Sequence, residues 1–111
     1  MAGSKPLFQR NTFIYLVSRP ADEKIGYDEY DSFVVVAHSS CEPRWLHPCG
    51  DKVEYDHEND KWVWAEDGDD WGLADWPSTA EDLIGLEIKC IGRARHGMES
   101  GDIICASFNA G

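Results

Sequence analysis

The sequence has few basic residues and no long apolar run. Ten Lys and Arg stand against twenty-one Asp and Glu, which gives a net charge of −11 at pH 7. A charge of that sign repels phosphate backbones and anionic membrane surfaces and attracts basic proteins, so direct binding to nucleic acid is disfavoured. No segment approaches the roughly 20 apolar residues of a membrane span, and none has the pattern of a signal peptide. We therefore expect a soluble protein that stays where it is made.

The sequence also lacks paired metal ligands. The cysteines are Cys41, Cys49, Cys90 and Cys105, and no C-x-x-C spacing occurs among them. Structural zinc sites usually place ligands in pairs that are about two to four residues apart and then repeat the pair. His47 lies close to Cys41 and Cys49, but these three do not form such pairs. We expect reduced thiols, no metal and no cofactor.

Recognisable catalytic motifs are missing as well. Neither a G-x-S-x-G nucleophile elbow nor a glycine-rich phosphate loop is present. The acids between residues 22 and 31 are numerous enough to supply a carboxylate pair, but an acid-rich composition alone does not define an active site. We expect a protein that is not an enzyme.

The apolar pattern predicts one α+β domain over residues 12–111, after a flexible N-terminal segment, 1–11. Five segments are rich in β-branched and aromatic residues or alternate in polarity, and they are typical of strands: 12–18, 32–38, 61–65, 86–94 and 102–108. The run SFVVVAH, 32–38, is expected at the centre of a mostly antiparallel sheet. Val53 and Tyr55 suggest a further strand that forms a hairpin with KWVWA, 61–65, and turns at HEND, 57–60.

One short helix is predicted over CEPRWLH, 41–47, packed on one face of the sheet. Ser40 is the preferred N-cap, because Pro43 then falls where no intrahelical hydrogen bond is lost. Pro48 and Gly50 end this helix. STAED, 78–82, has the composition to start a single helical turn.

The most specific feature is the acidic and aromatic stretch WAEDGDDWGLADW, 64–76. Between Glu54 and Trp76 there are nine acids against one base, Lys61. Carboxylates along a rigid surface resemble a phosphate strand, and tryptophan is enriched at interface hot spots. We predict a partner-binding surface that mimics nucleic acid, and its residues are Glu66, Asp67, Asp69, Asp70, Trp71 and Asp75.

A second hypothesis is a pocket for a small anionic or nucleotide-like ligand. Tyr27 and Asp31 flank the start of the predicted central strand, and Arg44 and His47 lie on the predicted helix. Aromatic rings with one guanidinium and one imidazole suit such a ligand. The structural alternative is an ion pair between Asp31 and Arg44 that fixes the helix against the sheet.

Several segments, read in order, resemble a small family of phage- and prophage-encoded proteins of unknown function. They are GYDEYDSFVVVAH, RWLHP at 44–48, IGRA at 91–94 and the final GDIICASFNAG, and the resemblance covers most of the chain from Thr12 onward. It implies a small accessory phage protein in the cytoplasm of a bacterial host, a class that often acts by binding and disabling a host protein. Our leading hypothesis is an anti-defence inhibitor that binds a basic, nucleic-acid-binding host protein; another alternative is a phage structural or assembly subunit.

Overall fold

The described part of the chain forms two antiparallel sheets and one α-helix. The computed structural model describes residues 12–20, 25–26, 28–95 and 97–109, so the predicted N-terminal segment, 1–11, lies outside the described residues. The α+β class and the antiparallel sheet are confirmed, with six strands where about five were expected. The elements are β1 (Phe13–Ser18), β2 (Glu29–Ala37), β3 (Val53–Asp56), β4 (Lys61–Trp64), α1 (Ala80–Ile84), β5 (Glu87–Arg93) and β6 (Ile103–Asn109).

Strands β1 and β2 form the centre of the larger sheet, whose order is β5-β1-β2-β6. Their pairing places Tyr15 opposite Val35 and Val17 opposite Phe33. Because side chains alternate along a strand, these four point to the same face, and all four are buried. The prediction that residues 32–38 occupy the centre of a sheet is confirmed, although β2 begins earlier, at Glu29.

Strands β3 and β4 form a separate hairpin. Its turn covers residues 57–60, as the sequence predicted, and Asp60 adopts a φ of 57° there. The side chain of Asp56 accepts hydrogen bonds from the amides of Glu58 and Asn59. Short polar side chains favour such turns because they satisfy the backbone locally.

The predicted helix over residues 41–47 is wrong. Only Pro43–Trp45 forms a turn of 3-10 helix, its cap position is Glu42 rather than Ser40, and Leu46 is already extended. Pro48 disfavours the α conformation at the residue before it, so the segment after Pro43 has room for one tight turn but not for an α-helix.

The α-helix lies instead at Ala80–Ile84 and overlaps residues 78–82, where the sequence suggested the start of a single turn. The hydroxyl of Thr79 accepts a hydrogen bond from the amide of Asp82 at 3.2 Å, which is an N-cap. Leu83 is the residue of this helix that is buried in the core. Within the described ranges, no helix combines the length and apolarity that crossing a membrane requires.

One hydrophobic core joins the larger sheet to the hairpin and to the segment that follows it. The ring of Phe33 packs edge-on against Trp76, with 5.2 Å between ring centroids. Trp62 is fully buried, and its indole N–H donates to the carbonyl of Pro77 at 2.7 Å. This core fixes both ends of the segment between Trp64 and Trp76, which contains the predicted partner-binding residues.

Candidate functional site

A surface loop, residues 65–72 and called the acidic loop below, presents most of the predicted partner-binding residues. Trp71 is 78% exposed, which is unusual for a residue that normally buries most of its large apolar surface. The loop acids are all exposed as well: Glu66, Asp67, Asp69 and Asp70. The structure therefore places five of the six predicted residues together in one short exposed segment.

Backbone hydrogen bonds hold the acidic loop to strand β4. The amide of Trp64 donates to the carbonyl of Asp69 at 2.7 Å, and the amide of Gly68 donates back to the carbonyl of Trp64 at 2.8 Å. Gly68 and Gly72 have φ angles of 75° and 76°, a region that glycine adopts without the steric cost of a side chain. Backbone hydrogen bonds therefore close the loop against the end of strand β4.

The indole of Trp64 is a further support that sequence reasoning missed. Its N–H donates to the carbonyl of Trp71 at 2.7 Å, so a half-buried tryptophan holds the backbone of the exposed one. Directly after the loop, Leu73 is buried in the core. The W-x₆-W spacing is visible in the sequence. No local rule, however, predicts that the ring of Trp64 supports the loop while the ring of Trp71 is exposed.

Two loop carboxylates are fixed by local hydrogen bonds. Asp67 accepts from the amide of Asp69 at 2.9 Å, and Asp69 accepts from the amide of Asp70 at 2.7 Å. Asp70 also pairs with the ammonium of Lys61 at 3.2 Å, on the surface, where such a pair contributes little stability. The loop therefore offers a negative surface with one apolar ring and one neighbouring cation.

Asp75, the sixth predicted residue, has a different environment. Its side chain is only 21% exposed, and its Oδ1 lies 3.5 Å from Nε2 of His47. Its backbone carbonyl accepts from the amide of Tyr30 at 2.9 Å. Burial raises the pKa of the Asp75 carboxyl. Asp75 thus links the segment after the acidic loop to the core.

His47 is fully buried at the centre of an aromatic cluster. Its ring packs edge-on against Trp62, with 5.1 Å between centroids, and its Nδ1 accepts the amide hydrogen of Cys49 at 3.0 Å. Burial lowers the pKa of His47 to about 4, so the ring is neutral at pH 7. A neutral imidazole whose Nδ1 accepts carries its proton on Nε2, toward Asp75.

Cys49 and Tyr30 adjoin this histidine. The hydroxyl of Tyr30 lies 3.9 Å from Sγ of Cys49. Burial raises the pKa of the Cys49 thiol and raises that of Tyr30 to about 12, so both stay protonated near neutral pH. Thiolates, not thiols, are the nucleophiles of cysteine chemistry. This arrangement fits a structural cluster.

The residues of the predicted ligand pocket have separate partners. Asp31 accepts from the hydroxyl of Ser32 at 3.0 Å, whereas Nε of Arg44 donates to the carbonyl of Leu83 at 3.0 Å. His47 is enclosed in the core, and Tyr27 lies outside the described residues. The contact between Arg44 and Leu83 attaches the 3-10 turn to helix α1.

A groove of about 290 Å³ opens beside Cys49, where the second 3-10 turn, Gly50–Lys52, meets the start of β6. Its lining includes the acidic residues Asp51, Glu99 and Asp102, and their negative charge disfavours an anionic ligand. In the part of the chain that is described, no three His, Cys, Asp or Glu side chains are grouped to hold a metal ion.

Comparison of the chain with protein-family models, with curated proteins and with solved structures found no match. The chemistry and geometry of the described residues are therefore the basis for assigning a function.

Proposed function

We propose that this protein is a non-enzymatic binding protein whose acidic loop docks on a basic surface of another protein. The observation that carries the proposal is the exposed ring of Trp71 among four exposed carboxylates, on a backbone held by hydrogen bonds at both ends. An aromatic anchor surrounded by polar groups is the usual composition of an interface hot spot.

The charge of the chain supports a basic partner. With a net charge of −11, the molecule attracts positively charged surfaces from a distance and repels nucleic acid itself. The grooves of nucleic-acid-binding proteins are basic because they neutralise phosphates. We therefore propose that the partner is a nucleic-acid-binding protein, and that the loop occupies the site where its nucleic acid binds.

The fixed backbone of the loop supports binding by a preformed surface. Association orders side chains and loops at a free-energy cost, and a segment that is already ordered avoids part of that cost. The hydrogen bonds of Trp64 to Asp69 and to Trp71 supply this order before any partner arrives. In a phage context, as the sequence resemblance implies, such a protein would act as an inhibitor of a host defence component.

The alternative of a nucleotide-like ligand has no comparable observation in its favour. Arg44 and His47 make internal contacts with Leu83 and Asp75. The lining of the groove beside Cys49 includes three acidic residues, whose negative charge disfavours phosphate groups.

The test is a pull-down from bacterial lysate with the wild type and two matched variants. The loop variant carries Glu66→Gln, Asp67→Asn, Asp69→Asn and Asp70→Asn, which remove four charges and keep the oxygen acceptors of the loop. The control variant removes four exposed charges elsewhere, through Glu58→Gln, Glu81→Gln, Glu87→Gln and Glu99→Gln.

We expect a basic partner that the wild type and the control variant capture, that the loop variant loses, and that added duplex DNA displaces. If the loop variant and the control variant lose the partner to the same extent, only the overall charge matters. A partner that DNA does not displace would contradict the proposed mimicry of nucleic acid.

A further inference from the structure

Strand β6 is an edge of the larger sheet and pairs with β2 along one side. Residues 104–108 are all exposed, although the ring of Phe108 also packs against Tyr30 of β2. Ile104 and Phe108 are 44% and 45% exposed. Among the described strands, none pairs with the outer side of β6. A long apolar edge of this kind offers a row of backbone groups to which another strand can add.

The two edges of the sheet differ in charge. The opposite edge, β5, contains Glu87, Lys89 and Arg93, whereas β6 has the sequence IICASFN, with no charged residue, no proline and no glycine. Charged side chains on an edge strand, lysine above all, prevent pairing with other chains. In this molecule β5 has that protection and β6 does not.

The absence of charge on β6 permits a second copy of the chain to approach this edge. A second copy of the chain also carries a charge of −11, so it is repelled by most of this surface. An uncharged strand of seven residues is where a like-charged copy can approach with the least repulsion.

The sequence of β6 is also complementary to itself in antiparallel pairing. A two-fold axis at Ala106 would place Ile104 opposite Phe108 of the second copy and Cys105 opposite Ser107 of the second copy. The symmetry repeats each of these pairs on the other side of the axis. Ala106 and Phe108 share one face because side chains alternate along a strand, and Ile104 lies next to them at a bulge in the pairing of β6 with β2. Pairs of aromatic and β-branched residues stabilise such strands, and the small Ala106 leaves room at the axis.

The bulges in the pairing of β2 with β6 leave residues 105–109 of β6 regular. The irregularity between Tyr30 and Ser32 adds its extra residue, Asp31, to β2. The extra residue on β6 is Ile104, so the register from Cys105 to Asn109 has no insertion on β6.

We propose that β6 is a self-association edge, through which two copies pair antiparallel about a two-fold axis at Ala106 and join their four-stranded sheets into one. This interface uses other residues than the acidic loop. The protein would thus bind its partner as a dimer with two acidic loops.

The first test is sedimentation equilibrium under reducing conditions. The wild type should sediment at twice the 12.5 kDa of one chain. Ile104→Lys should weaken dimerisation by about 100-fold or more, because the new ammonium would be buried opposite an apolar ring. The matched control is Ile91→Lys on β5, where the isoleucine is 51% exposed, and this variant should remain a dimer. Phe108 is left unchanged because its ring packs against Tyr30.

A wild type that stays monomeric up to roughly 1 mM would overturn the proposal, since weaker association is negligible at ordinary protein concentrations. An equal effect of the two lysine variants would overturn it as well. The dependence on salt concentration distinguishes dimerisation from binding by the acidic loop. Dimerisation should become stronger as salt screens the repulsion between like charges, whereas binding of a basic partner should become weaker.

A second test does not depend on the folding of Ile104→Lys. In a background with Cys41→Ser, Cys49→Ser and Cys90→Ser, we add Ser107→Cys and oxidise with oxidised glutathione. The variant should form a covalent dimer through Cys105 of the second copy, and the background alone, in which Cys105 faces Ser107, should not. Failure of Ser107→Cys to cross-link, or equal cross-linking of the background, would overturn the proposed register.

Discussion

Nε2 of His47 lies 3.5 Å from Oδ1 of Asp75, and both atoms are buried without a hydrogen bond that meets ordinary geometry. The residues are 28 positions apart in the sequence. Their contact attaches the segment after the acidic loop to the aromatic cluster around Trp62. Since His47 is neutral at pH 7, the contact joins a polar N–H to a carboxylate rather than two full charges.

The first prediction concerns pH. The folded state holds the pKa of His47 at about 4, below the ordinary value of 6.5, so the unfolded chain binds more protons between these values. The free energy of unfolding should therefore fall as the pH falls below 6.5, by about 3 kcal/mol at pH 4. The raised pKa of Asp75 acts in the opposite direction and offsets part of this loss. Denaturant unfolding at a series of pH values measures the slope.

The control for the pH prediction is His47→Asn, whose amide oxygen can still accept the amide hydrogen of Cys49. This variant should be less stable at pH 7, because it loses ring contacts, but its stability should vary less between pH 6.5 and pH 5. An unchanged slope would show that another group is responsible.

The second prediction contrasts two tryptophans of the same stretch. Trp71→Ala should change the free energy of unfolding by less than about 0.5 kcal/mol, because the ring is exposed. It should weaken partner binding by about 2 kcal/mol or more if the ring is a hot spot. Trp76→Ala should destabilise the fold by about 3–5 kcal/mol, because that ring is in the core. Thermal unfolding and the pull-down measure the two effects separately, and retained binding by Trp71→Ala would remove the anchor from the proposal.

The third prediction concerns the backbone of the acidic loop. A methyl group at Gly68 would meet no atom within 4 Å, but its φ is +75°. Gly68→Ala should therefore destabilise the fold by about 1–2 kcal/mol through backbone strain alone. The control is Gly92→Ala on β5, which has equal space and no left-handed φ, and it should be neutral or slightly stabilising. Similar stabilities of the two variants would mean that the loop tolerates another conformation.

The fourth prediction concerns the rate of association with the captured partner. Because exposed charges steer diffusional encounter, the association rate should fall at least about tenfold between low and physiological salt, while dissociation changes less. Stopped-flow measurement of tryptophan fluorescence, to which all five tryptophans of the chain contribute, can follow both rates. The loop variant should associate slowly and show little dependence on salt. An association rate that is indifferent to salt in the wild type would contradict charge-driven docking.

Local pattern predicted the strands and the turns of this fold. Residues 32–38 have a continuous apolar run and form most of a central strand, and HEND forms the predicted turn between β3 and β4. The helix was predicted at the wrong place because CEPRWLH contains apolar residues and follows a serine that could cap a helix. The N-cap of the actual helix, α1, is Thr79, and acidic residues occupy its first turn. The effect of Pro48 on the residue before it was the local signal against a helix at 41–47.

The sequence by itself determined which backbone segments could pair and which residues could not be buried. Alternating β-branched residues specify strands, and four acids around Gly68 specify a solvated loop, because both depend on neighbours in the chain. Tertiary structure alone decided that Trp71 is exposed while Trp76 is in the core, that Asp75 faces His47, and that β6 is an unprotected edge. The physical reason is that burial depends on which distant residues cover a side chain, and neither residue type nor local spacing contains that information.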